Sequence, residues 1–295
     1  MYKTFDELFA SRQAAAPKRL VVACANEDHT LEAVSLAVKE GCVTPILIGR
    51  GEDLAQRLPA WGLEGAQVID AQDDLEAVSK AVALIRDGQG DILLKGLVDT
   101  AVVMRAVVNK ENGLCARGVL SHLTLTQIPN YHKLLGITDC ALLTYPTLEQ
   151  KKAAILNAVE YLQALGVKTP KVAVLAAVEK VNPKMPETVD ADLLKQWGLC
   201  GEAGDCLIEG PISYDLAMRP GAAKIKGFNS PVAGDPDLLC VPNLTVGNVL
   251  IKALTCSAKA VSAGLILGAK VPVIVTSRSS SVATKATSIR MAAAI

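Results

Sequence analysis

The sequence predicts an α/β protein in which helices cover parallel β-strands. Apolar residues make up 51% of the chain and aromatic residues only 3%, so the core must be packed from Ala, Val, Leu and Ile. That composition is typical of helix-covered parallel sheets. In addition, short apolar runs alternate with longer periodic ones. This alternation indicates repeated strand and helix units joined by right-handed crossovers.

Strands and helices are predicted to alternate through the first part of the chain. Apolar runs bounded by turn residues predict strands in RLVVACA, TPILIG and GDILLKG. Runs with helical period follow, most clearly in HTLEAVSLAVKEG and TAVVMRAVVNKEN, and a short helix is predicted after TPILIG.

The alternation resumes after residue 139. We predict further strands in DCALLTY, KVAVLAA, CLIEGPI and DLLCVPN. Helices are predicted in TLEQKKAAILNAVEYLQALG, NVLIKALTC and AVSAGLILG. The acidic stretch EKVNPKMPETVDADLLKQ contains prolines, and we interpret it as a loop leading into a surface helix.

The chain has 295 residues, which is enough for two domains of ordinary size. No repeat, low-complexity tract or glycine-rich linker marks a boundary between them. We place the boundaries near Ile137 and near Pro272. Residues 1–137 with 272–295 then form the first α/β domain, and residues 138–271 form the second.

Composition excludes several classes of function. Lys and Arg number 30, as do Asp and Glu, so no sequence-wide field attracts nucleic acid or an anionic membrane. The eight cysteines form no CxxC pair, so neither a zinc site nor a redox motif is indicated. The N-terminus is amphipathic, and no apolar run reaches the roughly 18 residues of a membrane span. We expect a soluble, cytoplasmic protein.

Residues that follow strands are the candidates for a site, because parallel α/β sheets bind ligands beyond the carboxyl ends of their strands. After GDILLKG, a helix is predicted to begin near Asp99 or Thr100, where free amides accept an anion, with Arg105 further inside. The simpler alternative is that Asp99 or Thr100 only caps the helix and that Arg105 lies on its solvated face.

Two other segments offer polar groups beside apolar runs. LSHLTL contains Ser121 and His122, and His122 is either an acid or base or a hydrogen-bonded structural residue. In VPNLTVGNVLIKAL, Gly247 and Asn248 with Lys252 one turn on predict an anion-accepting helix start. A tight turn would equally explain Gly247.

The stretch PVIVTSRSSSVATKATSI runs from a strand into hydroxyl groups around one arginine and contains no carboxylate. Ser281 is a suitable N-cap for the helix that follows, so Ser277, Arg278 and the helix amides are expected to converge. A guanidinium binds phosphate oxygens in bidentate fashion. Capping explains Ser281 but not the placement of Arg278 beside Ser277.

Several segments together resemble the phosphate acyltransferases, the family of phosphate acetyltransferases and phosphate butyryltransferases. They are KGLVDTAVVMRAV, LSHLTL, DCAL, EGPISYDLAM, SPVAGDPDLLCVPNLTVGNVLIKAL and PVIVTSRSSS. The resemblance covers nearly the whole chain in order. The chain length and the LSHL and TSRS segments are closer to the butyryl branch.

The resemblance implies a fold similar to isocitrate and isopropylmalate dehydrogenases: two intertwined three-layer α/β/α domains with mostly parallel sheets and an active-site cleft between them. It implies reversible transfer of an acyl group between coenzyme A and inorganic phosphate. Coenzyme A is then a substrate or product, no cofactor is tightly bound, and the enzyme is a homodimer or a higher homo-oligomer.

The resemblance also implies roles for individual residues. Ser277 and Arg278 match the serine and arginine at the family's reacting centre, and we predict both as catalytic. Arg105 matches an arginine implicated in substrate binding in the acetyl branch. We expect substrate or phosphate binding, without a metal ligand, by Arg105, Thr100, Ser121, Asn248, Lys252, Ser281 and Lys285.

The chain departs from the family where acids are expected. Ser280, Ala283 and Thr284 stand where relatives carry acidic residues, so the general base is unassigned. Attack by hydrogen phosphate on a thioester needs no base, but in the reverse direction the thiol must lose its proton. A positive site around Arg278 and Lys285 would lower the thiol pKa instead, and acyl-CoA synthesis would then shift to alkaline pH.

Three other functions are compatible with the sequence. The first is a phosphate acetyltransferase acting on acetyl or propionyl groups, since each methylene is worth only about 1 to 3 kcal/mol in a pocket. The second is a metal-dependent dehydrogenase of the same architecture, although no aspartate cluster or GxGxxG motif supports it. The third is a catalytically impaired homologue that binds coenzyme A.

Overall fold

The computed structural model describes residues 1–12, 16–277 and 280–295. Its strands, in chain order, are β1 (Lys18–Ala23), β2 (Val43–Gly49), β3 (Gln67–Asp70), β4 (Ile92–Lys95), β5 (Ser121–Gln127), β6 (Leu135–Thr138), β7 (Lys171–Leu175), β8 (Leu207–Ile212), β9 (Leu238–Cys240), β10 (Val261–Leu267) and β11 (Val273–Ile274).

The helices are α1 (Phe5–Ala10), α2 (Asp28–Lys39), α3 (Gly51–Trp61), α4 (Asp74–Arg86), α5 (Thr100–Val107), α6 (Leu148–Ala164), α7 (Pro186–Leu199), α8 (Tyr214–Met218), α9 (Pro220–Lys226), α10 (Leu244–Ser257) and α11 (Val282–Ala293). Among the described helices, none is long and apolar enough to cross a membrane.

The described residues divide into two compact units. Unit 1 comprises Met1–Phe5 and Ser121–Ser262, and unit 2 comprises Asp6–Leu120 and Ala263–Ile295. Each unit is therefore built from two separate stretches of chain. The domain boundaries near Ile137 and Pro272 stay a prediction, because spatial proximity does not measure which segments fold independently.

Unit 2 contains a mostly parallel sheet with strand order β3-β2-β1-β4-β11-β10. The central strand β1 pairs in parallel with β2 and β4, and β11 extends the sheet in parallel from β4. Only the pairing of β10 with β11 is antiparallel among these described strands. Leu20, Val22, Leu47 and Leu93 are fully buried in this sheet, which confirms the aliphatic core.

Unit 1 contains a second set of strands in the order β5-β6-β9-β7-β8. β6, β9, β7 and β8 pair in parallel, and β5 pairs with β6 in the antiparallel sense. Helix α6 begins with the capping box of Thr147 and Gln150, as its S/T-x-x-E/Q pattern dictates. Ile137, Leu175 and Leu239 contribute to the apolar core of this unit.

The structure confirms the α/β class and the mostly parallel strands, and it corrects two elements. AVSAGLILG, predicted as a helix, forms strand β10, because Ile266 pairs with Val273 across an antiparallel ladder. DCALLTY, predicted as a strand, forms a loop after β6. The Asp139 carboxylate accepts hydrogen bonds from the amides of Ala141 and Leu142 and thereby turns the chain.

Candidate active site

The carboxyl ends of β1 and β4 lie side by side in unit 2 and are packed tightly together. The Gly96 amide donates to the Ala23 carbonyl at 2.8 Å. A Cβ atom at Gly96 would lie 2.2 Å from the Cys24 carbonyl oxygen, so this close approach requires glycine. The buried ammonium of Lys95 donates to the Val98 carbonyl at 2.8 Å and fixes the chain beyond β4.

Helix α5 begins where the sequence predicted. The Asp99 carboxylate caps it by accepting from the Ala101 amide at 2.8 Å, and exposed Thr100 is its first residue. Arg105 is exposed and lines a groove of about 520 Å³ between α4 and α5, together with Arg86. The substrate-binding roles of Thr100 and Arg105 stay predictions.

The chain between β11 and α11 carries the predicted catalytic serine. Ser277 is exposed, and its carbonyl accepts from the Ser280 amide at 3.0 Å. Ser281 caps α11 as predicted, accepting from the Thr284 amide at 3.2 Å. Arg278 lies outside the described residues, so its predicted catalytic role and its pairing with Ser277 stay predictions.

Lys285, in the first turns of α11, is buried and belongs to a polar cluster that also contains Glu27 and Thr30. Its Nζ donates to Glu27 Oε2 at 3.1 Å and to Thr30 Oγ1 at 3.3 Å. The Thr30 hydroxyl donates to the same carboxylate oxygen. Burial acts to raise the pKa of Glu27, but these hydrogen bonds outweigh it and lower that pKa. Glu27 is therefore ionised, and the charge of Lys285 is already paired.

A cavity of about 750 Å³ lies beyond the carboxyl ends of β1, β2 and β3 in unit 2. Its walls include Cys24, Asn26, Arg50, Asp73 and Leu97. The Asn26 amide nitrogen donates to the Arg50 carbonyl at 3.1 Å, and the Arg50 amide returns a hydrogen bond to Asn26 at 2.9 Å. This cavity has the volume of an ordinary small-molecule site and carries both charge signs.

In unit 1, polar groups gather where β5 begins and β6 ends. Ser121 is buried, and its hydroxyl accepts from Asn157 at 3.0 Å, so its predicted role in binding stays a prediction. The His122 Nδ1 atom lies 3.5 Å from Cys140 Sγ. Desolvation lowers the pKa of His122, against the opposing charge of Asp139. Burial raises the pKa of the Cys140 thiol to about 12, so this cysteine is a neutral thiol.

Helix α10 begins earlier than predicted. The Asn243 side chain caps it by accepting from the Val246 amide at 3.1 Å, so Gly247 and Asn248 lie inside the first turns. Gly247 is explained by close packing, since a Cβ there would lie 2.8 Å from the Cα of Cys140. Asn248 is half-buried and Lys252 exposed, and their binding roles stay predictions.

Two carboxylates that lie just beyond strand ends were not predicted from the sequence. Glu27 follows β1 and contacts Lys285 of α11, and Asp139 follows β6 and accepts three backbone hydrogen bonds. Asp139 had a local signal, because an Asp directly after an apolar run favours a side-chain-closed turn. Glu27 had only its position between a strand and a helix.

Comparison with known proteins gives consistent results along the whole chain. The family described as phosphate acetyl/butaryl transferase matches residues 52–293. The chain is 36% identical over 297 residues to a phosphate butyryltransferase of Clostridium acetobutylicum, covering 100% of this chain and 99% of that protein. It is 40% identical over 280 residues to a phosphate acetyltransferase of Thermotoga maritima, covering 94% of each.

A solved structure shows the same fold. The crystal structure of a branched-chain phosphotransacylase from Enterococcus faecalis V583 superimposes with a TM-score of 0.84 and 33% sequence identity. The similarity covers 93% of this chain and 97% of that one.

Proposed function

We propose that this chain, which belongs to the phosphate acetyl/butyryl transferase family, transfers a short-chain acyl group reversibly from acyl-CoA to inorganic phosphate. The products are acyl phosphate and coenzyme A, and butyryl is the favoured acyl group. The proposal rests mainly on one observation. A relative named phosphate butyryltransferase matches this chain over its full length, and the family match includes the segment from β11 into α11. Family membership also favours an acyltransferase over a dehydrogenase.

The proposed chemistry needs a bound anion, an oriented thioester and donors for the developing oxyanion. Ser277 and the capped start of α11 supply hydroxyl and amide donors after β11. Arg278 supplies the guanidinium in this proposal. Orienting the two reactants contributes about 7 to 11 kcal/mol, and each oxyanion donor about 3 to 4 kcal/mol.

We favour butyryl over acetyl on the chain length and the LSHL and TSRS segments, since relatives named for the two activities match the chain at 36% and 40% identity. The direct test is phosphate-dependent release of the coenzyme A thiol from acetyl-, propionyl-, butyryl- and isobutyryl-CoA. The highest kcat/KM is expected for butyryl-CoA. A preference for acetyl-CoA would instead make the protein a phosphate acetyltransferase, and no release from any ester would refute the function.

Replacement of Ser277 by Ala tests the placement of the reacting centre. Loss of one oxyanion-stabilising donor is expected to lower kcat by about 10²- to 10³-fold. Ser257→Ala, at an exposed serine in the last turn of α10, is the matched control and should retain the wild-type rate. An unchanged rate in Ser277→Ala would show that the centre lies elsewhere.

We also propose that the protein acts in the cytoplasm, and that it needs no tightly bound cofactor because thioester and phosphate supply both reacting groups. Dialysis against a chelator should then leave the rate unchanged.

The homodimer expected from the sequence has one supporting feature in unit 1. Val246 is 41% exposed and Val249 is 61% exposed, and both lie on one face of α10 with Ala253 and Cys256. We expect light scattering to give the mass of a dimer and Val249→Glu to weaken it. A monomer at all concentrations would contradict this proposal.

A further inference from the structure

The cluster of Glu27, Thr30 and Lys285 joins the end of β1 to the beginning of α11. Glu27 lies between β1 and α2, and Lys285 is the fourth residue of α11. The Lys285 side chain is 6% exposed and the Glu27 side chain 22% exposed. The carboxylate is thus held from the inside of unit 2 by Lys285, and the Glu27 side chain is partly exposed.

The two oxygens of the Glu27 carboxylate differ in their surroundings. Oε2 accepts from Thr30 and from Lys285. Among the described residues, no group donates to Oε1. One oxygen therefore fixes the side chain and the other is available to accept a proton.

The segment that follows Ser277 has no acidic residue where relatives carry one, and Glu27 supplies a carboxylate from another part of the chain. Ser280, Ala283 and Thr284 carry no carboxyl group. Glu27 brings one to the first turns of the same helix through its contact with Lys285. Because Glu27 pairs with Lys285, the net charge of the pair is close to zero, and Lys285 contributes little to lowering a thiol pKa.

We infer that Glu27 is the general base that deprotonates the coenzyme A thiol in acyl-CoA synthesis, and that Thr30 and Lys285 hold it in position. This inference rests on the proposed phosphate acyltransferase activity. It names a residue outside the segments that carry the family resemblance.

Glu27 accepts the proton of the coenzyme A thiol, and the thiolate sulfur forms a bond to the carbonyl carbon of the acyl phosphate. The bond between that carbon and the phosphate oxygen breaks, and its electron pair leaves with the phosphate. The proton held by Glu27 passes to the departing phosphate, which leaves as hydrogen phosphate. In the opposite direction the same carboxyl group returns the proton to the leaving sulfur.

Burial acts to raise the pKa of Glu27, but the hydrogen bonds from Thr30 and Lys285 and the nearby positive charges lower it. Lys285 acts on it from α11, and His29 acts on it from its own helix. Both favour the carboxylate over the protonated acid. Glu27 is therefore in the unprotonated form that a general base requires at neutral pH.

The test compares wild type and Glu27→Gln in butyryl-CoA synthesis from butyryl phosphate and coenzyme A, from about pH 6 to about pH 9.5. At pH 7 the variant should lose about 10²- to 10⁴-fold in kcat, the usual contribution of a general base. The loss should shrink as the pH passes about 8.5, because the thiol then ionises without help. A loss that stays constant with pH, or no loss, would overturn the inference.

Two further variants separate chemistry from structure. Glu40→Gln removes a second ion pair to α11, where the Glu40 carboxylate contacts Arg290 Nε at 2.5 Å, and it should retain the wild-type pH profile. The double variant Glu27→Gln/Lys285→Met leaves no buried cation unpaired. It should stay as impaired as Glu27→Gln, and recovery of the rate would mean that a displaced Lys285 had caused the defect.

The outcome for wild type keeps the two proposals distinguishable. No synthesis and no phosphate-dependent thiol release by wild type would refute the proposed function itself. Wild-type turnover together with full activity of Glu27→Gln at pH 7 would refute only the role of Glu27.

Discussion

Each unit has a carboxylate just beyond a parallel strand, and the two carboxylates have opposite environments. In unit 1, Asp139 is 4% exposed and accepts hydrogen bonds from the amides of His122, Ala141 and Leu142 at 2.7 to 2.9 Å. In unit 2, the Glu27 side chain is 22% exposed and is held through one oxygen by side chains.

The difference shows how a structural acid can be told from one available for chemistry. Three backbone donors use both oxygens of Asp139, so protonation would break bonds that shape the loop after β6. Glu27 can be protonated on Oε1 while Oε2 keeps its partners. The same residue type after the same kind of strand thus serves the fold in unit 1 and, by our inference, the reaction in unit 2.

The sharpest test of this comparison is Asp139→Asn. The amide group keeps the size of the side chain but turns a donor toward one of the three backbone amides, which is left buried and unpaired. We expect the free energy of unfolding to fall by about 3 kcal/mol, measured by urea titration. Asp87→Asn, at an exposed ion pair with Arg86, should change it by less than about 1 kcal/mol. Equal effects of the two changes would contradict the structural role.

A second test follows the stability contributed by Glu27 as a function of pH. Its folded-state pKa is lowered from 4.5, so its contribution is complete above pH 4.5 and is lost as the pH falls through the folded pKa. Glu27→Gln should cost about 2 kcal/mol at pH 7, because it leaves a buried lysine without its charge partner. Thermal unfolding of both proteins from neutral to acidic pH should show the gap closing below pH 4.5. A gap independent of pH would exclude the ion pair as its cause.

A third test probes how tightly α10 packs on the loop that contains Asp139. A Cβ at Gly247 would lie 2.8 Å from the Cys140 Cα and 2.9 Å from the Asp139 carbonyl oxygen. We expect Gly247→Ala to reduce stability by about 1.5 kcal/mol through overpacking. Gly221→Ala in α9, where a Cβ meets no atom within 4 Å, should be neutral or slightly stabilising. The midpoint of chemical unfolding distinguishes them, and equal midpoints would show that the loop yields freely.

Local sequence signals predicted the fold class and several helix starts. Asp99, Thr147 and Ser281 each precede a helical run, and the side chain of each accepts a hydrogen bond from the helix it caps. AVSAGLILG failed because its alanines and leucines favour a helix in isolation, whereas pairing with β11 makes it a strand. The local propensity was overridden by tertiary contacts.

Site residues could be proposed from the sequence only where they follow one another along the chain, and their roles stay predictions. The hydroxyl-rich stretch from Ser277 to Ser281 is continuous in sequence, and the capping role of Ser281 could be derived from it. Glu27 and Lys285 are separated by 258 positions, and only the fold brings them into contact. Neither hydrophobic periodicity nor a local motif can predict a contact between residues so far apart in the sequence. The sequence therefore left the general base unassigned, and its identification with Glu27 is our inference from this long-range contact.

The division of unit 2 between two distant stretches of chain has a consequence for biosynthesis. During translation, β4 lacks its partner strand β11, and α2 lacks the helix α11 that packs on it, until residues 263–295 have been synthesised. Unit 1 has all of its segments once residue 262 has emerged, before the last stretch of unit 2 has been synthesised. The nascent chain thus carries an incomplete sheet through most of its translation, and chaperones that bind exposed strand edges would act on unit 2 during that interval.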